Sequence, residues 1–164
     1  MNRLLLILWC VVGLCSCKKG YDEVANYRAQ AAKDDQIIAD YIAATPGLAD
    51  EAKRIDTTGV YYVVIAPGSG NDLFTNSTRV TVDYTGKILG ADTVFTQSNN
   101  FHPTFALSEV IKGWQLGIPK IKKGGTVRLL IPSRYAYGPF DQPSIGLPAN
   151  SVVDFNIQLL DVTN

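Results

Sequence analysis

The stretch that decides the fold is Val110-Ile111-Lys112-Gly113-Trp114, a short apolar turn that ends in one of only two tryptophans. Just before it, Ser108 or Glu109 could begin a helical turn, and Gly113 leaves room for another group beside the indole ring. Other aromatic residues recur around this stretch, mostly near the ends of predicted strands: Tyr84, Phe95, Phe105, Tyr135, Tyr137 and Phe155. If the strands bring these side chains together, they form a concave, mostly apolar pocket with a few hydroxyl groups at its rim.

Length and composition allow one domain with appendages. The chain has 164 residues, of which 46% are hydrophobic, and it contains 14 glycines and 8 prolines, which is typical of a globular, turn-rich domain. Its 15 basic and 15 acidic residues give a formal charge of zero, so we expect no nucleic-acid partner. The single histidine, His102, supports neither a Ser-His catalytic pair nor a His-rich metal site, and we expect no metal and no cofactor.

The first residues are typical of an export signal and not of a part of the folded domain. Arg3 precedes an apolar run from Leu4 to Leu14, which is too short to span a bilayer alone and is typical of a secretory signal. The run leads into Leu14-Cys15-Ser16-Cys17, which resembles a bacterial lipobox. Residues 1–16 are therefore predicted to be a signal peptide, and Cys17 the lipidated first residue of the mature chain. An uncleaved membrane-anchored segment, or cleavage by an ordinary signal peptidase, are the alternatives. All three cysteines lie in this segment, so none remains for a disulfide or a zinc site in the folded part.

Residues 17–58 are predicted to be a helical spacer. No glycine or proline lies between Tyr21 and Thr45, and Pro46 is expected to end the helix. Apolar residues at spacings of three, four and seven mark one face, although Asp34 and Asp35 interrupt it: Val24, Tyr27, Ala31, Ile38, Tyr41 and Ile42. A second short helix is expected near residues 48–54. The apolar face could pack on the domain, pair with a second copy or hold the domain away from lipid, so a monomer and a helix-mediated dimer are both open.

Residues 59–164 are predicted to form a domain of short strands with one embedded helix. Alternation is clearest at the end of the chain, where Val153, Phe155, Ile157 and Leu159 face inward and the residues between them are polar. The other predicted elements are the strands 60–65, 80–85, 93–96 and 127–131, the helix 110–116 and a basic hairpin turn at 122–125. This pattern is consistent with an α+β domain in which a bent sheet wraps over a helix, and equally consistent with a small barrel.

Five ordered blocks resemble the FKBP-type peptidyl-prolyl cis-trans isomerases and cover residues 59–162 approximately. They are Val82-Asp83-Tyr84-Thr85-Gly86, Val94-Phe95, the stretch from Phe105 to Trp114, Tyr135-Ala136-Tyr137-Gly138 and Leu147-Pro148-Ala149-Asn150-Ser151. The resemblance implies a bent antiparallel β-sheet wrapped over a short α-helix, here preceded by an N-terminal helix. It also implies the activity, which is acceleration of X-Pro isomerisation during the folding of exported or envelope proteins.

The resemblance also implies a set of site residues. The implied catalytic residues are Tyr84, Phe95, Ile111, Trp114 and Tyr137, with Trp114 as the floor of the pocket. The implied substrate-binding residues are Thr96, Phe105, Val110, Leu147 and Phe155. In the family, the backbone N–H matching Ile111 binds a ligand carbonyl, and the hydroxyl matching Tyr137 binds another. Leu147 matches an apolar position that caps the pocket.

One position departs from the family's pattern. The family usually has Asp directly after the Phe that matches Phe95, whereas this chain has Thr96. The carboxylate normally makes polar contacts across the pocket, so we expect its loss to lower the rate or to alter the substrate. A second hypothesis is therefore a proline-peptide binding module or holding chaperone with little isomerase activity. A third is a structural envelope lipoprotein in which the pocket is incidental.

The expected partners follow from these hypotheses. They are proline-containing unfolded or exported polypeptides, a bacterial membrane reached through the lipid on Cys17, and macrolide ligands such as rapamycin. The expected location is the cell envelope, with the outer membrane favoured over the inner one.

Overall fold

The computed structural model describes residues 2–164, with side chains from residue 22 onward. The predicted signal peptide and Cys17 therefore lie outside the residues whose side chains are described. The chain divides into two compact units, residues 1–33 and 34–164, and this division falls inside the first helix. The functional boundary expected at residue 59 stays a prediction. Over the part of the chain that is described, no helix combines the length and hydrophobicity needed to cross a bilayer.

Helix α1 (Asn2–Ala44) ends where the sequence predicts. The hydroxyl of Thr45 donates to the carbonyl of Tyr41 at 2.8 Å, and Pro46 and Gly47 follow, with Gly47 at a φ of 78° that favours glycine. In the first unit, the side chains of Val24 and Tyr27 are 52% and 61% exposed. In the second unit, Ile38 is fully buried. The apolar face of α1 therefore packs on the domain within residues 34–44.

Seven strands in the described residues form one antiparallel sheet. They are β1 (Lys53–Arg54), β2 (Tyr61–Ala66), β3 (Arg79–Ile88), β4 (Val94–Gln97), β5 (Thr104–Ala106), β6 (Thr126–Ile131) and β7 (Val153–Thr163). The strand order is β1-β2-β6-β7-β3-β4, with β5 paired to β3. Helices α2 (Leu48–Glu51) and α3 (Lys112–Gly117) complete the fold, together with four short 3-10 helices at Leu107–Glu109, Ile118–Lys120, Ser133–Tyr135 and Pro143–Ile145. The predicted α+β class is confirmed.

Three local predictions differ from the structure. Helix α2 stops at Glu51, because Ala52 is extended and Lys53–Arg54 pair with β2. Strand β3 continues to Ile88, where its ladder with β7 reaches Val153, so it runs three residues beyond the predicted end at residue 85. The expected hairpin at Lys122–Gly125 is wrong, since this turn follows a 3-10 helix and not a paired strand.

The sheet separates two cores because neighbouring side chains on a strand point to opposite faces. On the front face, under α3, buried side chains include Trp114, Val127, Leu129, Ile131, Phe155 and Ile157. On the back face, under α1, they are Ile38, Leu48, Val63, Leu130 and Val152. We call these two sets the front core and the back core.

Two glycines allow α3 to lie directly on β6. A Cβ atom added to Gly113 would stand 2.5 Å from the side chain of Ile131, and one added to Gly117 would collide with Leu129. The room that the sequence predicts at Gly113 is therefore filled by β6. This close approach sets the height of Trp114 above the sheet.

Candidate functional site

A cavity of about 260 Å³ opens on the front face. Its lining residues come from β3, β4, β5, β7, α3 and the segment leading into it, and the segment after β6: Tyr84, Thr96, Phe105, Glu109, Val110, Ile111, Trp114, Tyr137 and Phe155. This volume lies just below the range of pockets for drug-sized ligands, about 300–1,000 Å³. It suits one small ring with its flanking peptide groups.

The structure brings eight of the ten predicted site residues to this cavity, and the other two, Phe95 and Leu147, are not among its lining residues. The ring of Phe95 lies 6.0 Å from that of Tyr137 and 5.7 Å from that of Phe155, so Phe95 packs against the rings that form the wall. Leu147 is 2% exposed and belongs to the front core. Its backbone exchanges two hydrogen bonds with Gln142, and the capping role expected for Leu147 stays a prediction.

Trp114 forms the floor within a cluster of perpendicular rings. Its indole is 5.1 Å from the rings of Tyr84 and Phe155, at interplanar angles of 74° and 89°, and 6.3 Å from Phe105. Such edge-to-face contacts each add about 0.5–1.5 kcal/mol beyond buried area. Gly86 permits the close approach of Phe155, since a Cβ there would stand 2.5 Å from that ring. The floor is therefore rigidly held.

Two backbone and side-chain donors near the floor lack acceptors. Ile111 is the residue preceding α3, and its carbonyl accepts from the amides of Trp114 and Gln115 at 2.9 and 3.2 Å. Within residues 2–164, no acceptor takes the N–H of Ile111 itself. The indole N–H of Trp114 is buried and is likewise unpaired among the described side chains. The indole N–H is the buried one of these two donors. A buried donor without an acceptor is rare and costly in proteins, so it calls for an explanation such as a functional role.

The hydroxyl groups of the cavity are neutral donors. Burial, and next the neighbouring Tyr84, raise the pKa of Tyr137, so its hydroxyl stays protonated at neutral pH. Thr96 places its hydroxyl 3.5 Å from that of Tyr84, which is too long for a strong hydrogen bond. No carboxylate stands at position 96, so the centre of the cavity carries no charge from that residue.

Glu109 is a lining residue that the sequence pattern did not assign to the site. Its carboxylate accepts from the backbone N–H of Ala106 at 3.2 Å and so closes the 3-10 turn at the cavity mouth. The sequence placed Glu109 at the start of a helical turn, and that position was the available signal. It adds one negative charge at the rim.

A larger cavity, of about 410 Å³, lies elsewhere and is polar. Its lining includes Asp83, Thr85, Ser98, Asn156 and Gln158. Asp83 already accepts from the hydroxyl of Ser98 at 3.1 Å and contacts Nδ1 of His102 at 2.6 Å. Because Asp83, Ser98 and His102 satisfy one another, and Tyr84 is the one aromatic residue among the larger cavity's described lining residues, the smaller cavity is the candidate site. Among the described side chains, no group of three His, Cys, Asp or Glu residues could hold a metal ion.

Comparison with known proteins gives a consistent picture. The sequence profile of the FKBP-type peptidyl-prolyl cis-trans isomerases matches residues 70–160. The chain is 38% identical to FK506-binding protein 1 of Saccharomyces cerevisiae over 101 residues, which are 60% of this chain and 88% of the yeast protein. It is 35% identical to FkpA of Escherichia coli K12 over 116 residues, which are 69% of this chain but 41% of FkpA.

A solved structure shares the fold over most of the chain. The crystal structure of a peptidyl-prolyl cis-trans isomerase from Pseudomonas syringae superimposes with a TM-score of 0.68 at 27% identity, covering 84% of this chain and 96% of that one. The chain thus spans nearly all of the yeast protein, and less than half of the FkpA sequence.

Proposed function

Because the chain belongs to the FKBP-type peptidyl-prolyl cis-trans isomerases, we propose that it accelerates X-Pro isomerisation in the folding of exported or envelope polypeptides. Proteins of this family bind proline-containing peptides and macrolides. The observation that carries the proposal is the cavity over Trp114, with its aromatic walls and its unpaired N–H at Ile111. Substrates of this chain are therefore proline-containing polypeptides, and rapamycin-like macrolides are expected to compete for the same cavity.

The reaction requires no nucleophile. Rotation about a peptide bond has a barrier of about 18–20 kcal/mol, and uncatalysed X-Pro bonds isomerise over tens to hundreds of seconds. In the twisted transition state the amide loses its resonance, so its carbonyl is less polar than in the planar ground state. A dry aromatic cavity therefore favours the twisted form. A thousandfold acceleration needs only about 4 kcal/mol of such differential binding.

Each predicted catalytic residue has a role in this scheme. The prolyl ring lies on Trp114, between Tyr84, Phe105 and Phe155. The N–H of Ile111 and the hydroxyl of Tyr137 each hold one substrate carbonyl, and they fix the peptide on both sides of the rotating bond. Phe95 supports Tyr137 from behind. The raised pKa of Tyr137 supports this role, because only the protonated hydroxyl donates.

Thr96 favours a second candidate function, a proline-peptide binding module or holding chaperone. The hydroxyl of Thr96 replaces the family's carboxylate and leaves Tyr84 with a partner at 3.5 Å. If that carboxylate is needed to orient Tyr84 for turnover, the cavity binds proline peptides and catalyses little. A structural envelope role without any ligand is the third reading, and it predicts that no proline peptide binds.

One experiment separates these functions. Isomerisation of a proline tetrapeptide is measured with the full chain purified in mild detergent, beside its Thr96→Asp variant. Catalysis by the parent well above the uncatalysed rate supports the isomerase. A silent parent with an active variant supports the binding module, and two silent proteins that still bind rapamycin do so as well. Absence of both catalysis and binding contradicts both functions.

We also propose that the chain is a lipoprotein of the bacterial envelope, anchored through Cys17 and favouring the outer membrane. The support is Arg3, the apolar run from Leu4 to Leu14, and the lipobox-like Leu14-Cys15-Ser16-Cys17. A lipid anchor would tie the domain to a membrane without a spanning helix. Labelling cells with a radioactive fatty acid tests this, because Cys17→Ser should lose the label and leave the membrane fraction. A dimer through α1 is supported by the exposed Val24 and Tyr27, and sedimentation of the purified chain checks it.

A further inference from the structure

The segment that carries Tyr137 is fastened to α1 by a buried carboxylate. Asp34 is fully buried, and its Oδ2 accepts from the backbone N–H of Ser133 at 2.9 Å and from the Ser133 hydroxyl at 2.6 Å. The two residues are 99 positions apart. Two donors converging on one carboxylate oxygen hold the start of the Ser133–Tyr135 turn in a fixed position.

Ser133 extends this hold to both sides of Tyr137. The carbonyl oxygen of Ser133 accepts from the amides of Ala136 and Gly138, each at 2.9 Å. These are the N–H groups of the two residues that flank Tyr137 in sequence. Ser133 therefore binds α1 through its N–H and hydroxyl, and it binds the backbone around Tyr137 through its carbonyl. The chain of contacts from Asp34 to the cavity involves a single intermediate residue.

A second acidic residue of α1 holds the next residue of the turn. Nη2 of Arg134 donates to Oδ1 of Asp35 at 2.7 Å and to the carbonyl of Thr58 at 2.8 Å. The Arg134 side chain is 11% exposed. Asp34 and Asp35 on α1 thus hold Ser133 and Arg134, which are consecutive residues of the turn. Because the turn is held at two points, it can neither shift along α1 nor rotate against it.

We propose that Asp34 is a positioning residue for Tyr137, so that the docked part of α1 sets the donor geometry of the site. This inference rests on the proposed role of the Tyr137 hydroxyl. A buried carboxylate is a poor choice for stability alone, because its desolvation offsets much of its attraction to its partners. It is well suited to fixing a catalytic group, since reacting groups must be held within a fraction of an ångström.

The test uses the full chain in mild detergent with four variants. Asp34→Ala removes both contacts with Ser133, Asp34→Asn keeps a carbonyl oxygen that can accept from Ser133, and Ser133→Ala removes only the hydroxyl. Tyr41→Phe is the matched control, since it removes a different α1 contact, in which Nη2 of Arg128 donates to the Tyr41 hydroxyl at 2.8 Å. All four are compared by kcat/KM for a proline tetrapeptide and by their urea midpoints.

We expect Asp34→Ala to lower kcat/KM roughly tenfold, Ser133→Ala to lower it less, and Asp34→Asn to restore most of the parent value. Tyr41→Phe should lower the urea midpoint and leave kcat/KM unchanged. The decisive measurement is a double-mutant cycle with Tyr137→Phe. If Asp34 acts through the Tyr137 hydroxyl, Asp34→Ala has no further effect on kcat/KM when that hydroxyl is absent.

The inference is overturned if Asp34→Ala keeps the parent kcat/KM, or if it lowers kcat/KM equally with and without the Tyr137 hydroxyl. If Asp34→Ala does not fold, the same cycle is run with Ser133→Ala. Failure of the proposed function looks different, because the parent itself is then silent. In that case amide hydrogen exchange decides the positioning alone: faster exchange at Ala136 and Gly138 in Ser133→Ala, with β7 unchanged, supports it, and unchanged exchange overturns it.

Discussion

The two faces of the sheet are built from the same strands but in opposite ways. On the front face, rings surround a cavity, and two donors near its floor, the backbone N–H of Ile111 and the indole N–H of Trp114, have no acceptor among the described residues. On the back face, Arg128 and Asp154 form an ion pair. Arg128 donates to both carboxylate oxygens of Asp154, at 2.7–3.2 Å, and also to the hydroxyl of Tyr41.

The difference indicates that the front face is built to bind a ligand, whereas the back face is built to hold α1 in place. Unpaired donors cost stability, so a face that keeps them does so for a ligand. On the back face, by contrast, paired charges and complementary apolar side chains are typical of a contact with a helix that stays in place. The front face therefore carries the expected chemistry, and the back face carries the framework that holds it.

The largest effect should come from removing the floor of the front face. Trp114→Ala leaves a cavity among three rings, so we expect it to lower the free energy of unfolding by about 3–5 kcal/mol and to abolish isomerase activity. Urea unfolding and the tetrapeptide assay measure the two effects. If the variant kept the parent kcat/KM, Trp114 would not be part of the catalytic site.

A matched pair on β6 tests whether the two faces are functionally distinct. Leu129 and Leu130 are both fully buried and adjacent, but they belong to the front and back cores respectively. Each change to Ala should lower the free energy of unfolding by about 2–5 kcal/mol. Only Leu129→Ala should lower kcat/KM, by severalfold, because Gly117 of α3 rests on Leu129. Equal kinetic losses in the two variants would contradict the division into faces.

Breaking the ion pair of the back face should have a smaller effect. The side chains of Arg128 and Asp154 are 23% and 16% exposed, and the pKa of Arg128 is raised chiefly by its hydrogen bonds to Asp154. We expect Arg128→Ala to lower the free energy of unfolding by about 1–2 kcal/mol with unchanged kcat/KM. Thermal unfolding in low and high salt checks this, since screening should reduce part of the difference. A large loss of activity would place the back face within the site.

The smallest effect should be an alkaline dependence on the front face. Burial raises the pKa of Tyr137 above 10.0, so the folded state binds this proton more tightly than the unfolded chain does. The resulting stability is fully present below pH 10 and is lost as the pH rises through the folded pKa. Urea unfolding across this range should show a steeper loss for the parent than for Tyr137→Phe. Identical slopes would show that the hydroxyl is not buried in solution.

The sequence predicted the front face far better than the back face, and the reason is physical. Residues such as Tyr84 and Trp114 belong to blocks whose order and spacing follow the fold, and alternation along β7 is a local property. In the sequence, Asp34 looks like an interruption of an apolar helix face, because a sequence does not distinguish a buried acidic residue from an exposed one. Its partner lies 99 residues away, and no local period connects them.

Two short strands could not be predicted from the sequence, because they too depend on contacts with distant parts of the chain. Strands β1 and β5 have two and three residues, too few to show alternation, and only their pairing with longer strands makes them visible. Phe95 packs against the rings of Tyr137 and Phe155, and Leu147 is buried in the front core. Sequence blocks locate such residues near a site, but packing decides which way each side chain points.

The position of β7 has a consequence for how the domain assembles. Although β7 is the last strand in sequence, it is central in the sheet, where it pairs with β6 on one side and β3 on the other. Before residues 153–163 arrive, β1, β2 and β6 have no strand contact with β3, β4 and β5 in this order. A chain emerging from its N-terminus therefore presents two open edges until its last strand joins them, and its folding should be slow and cooperative. A protein expected to help others through a slow folding step must itself wait for its final strand.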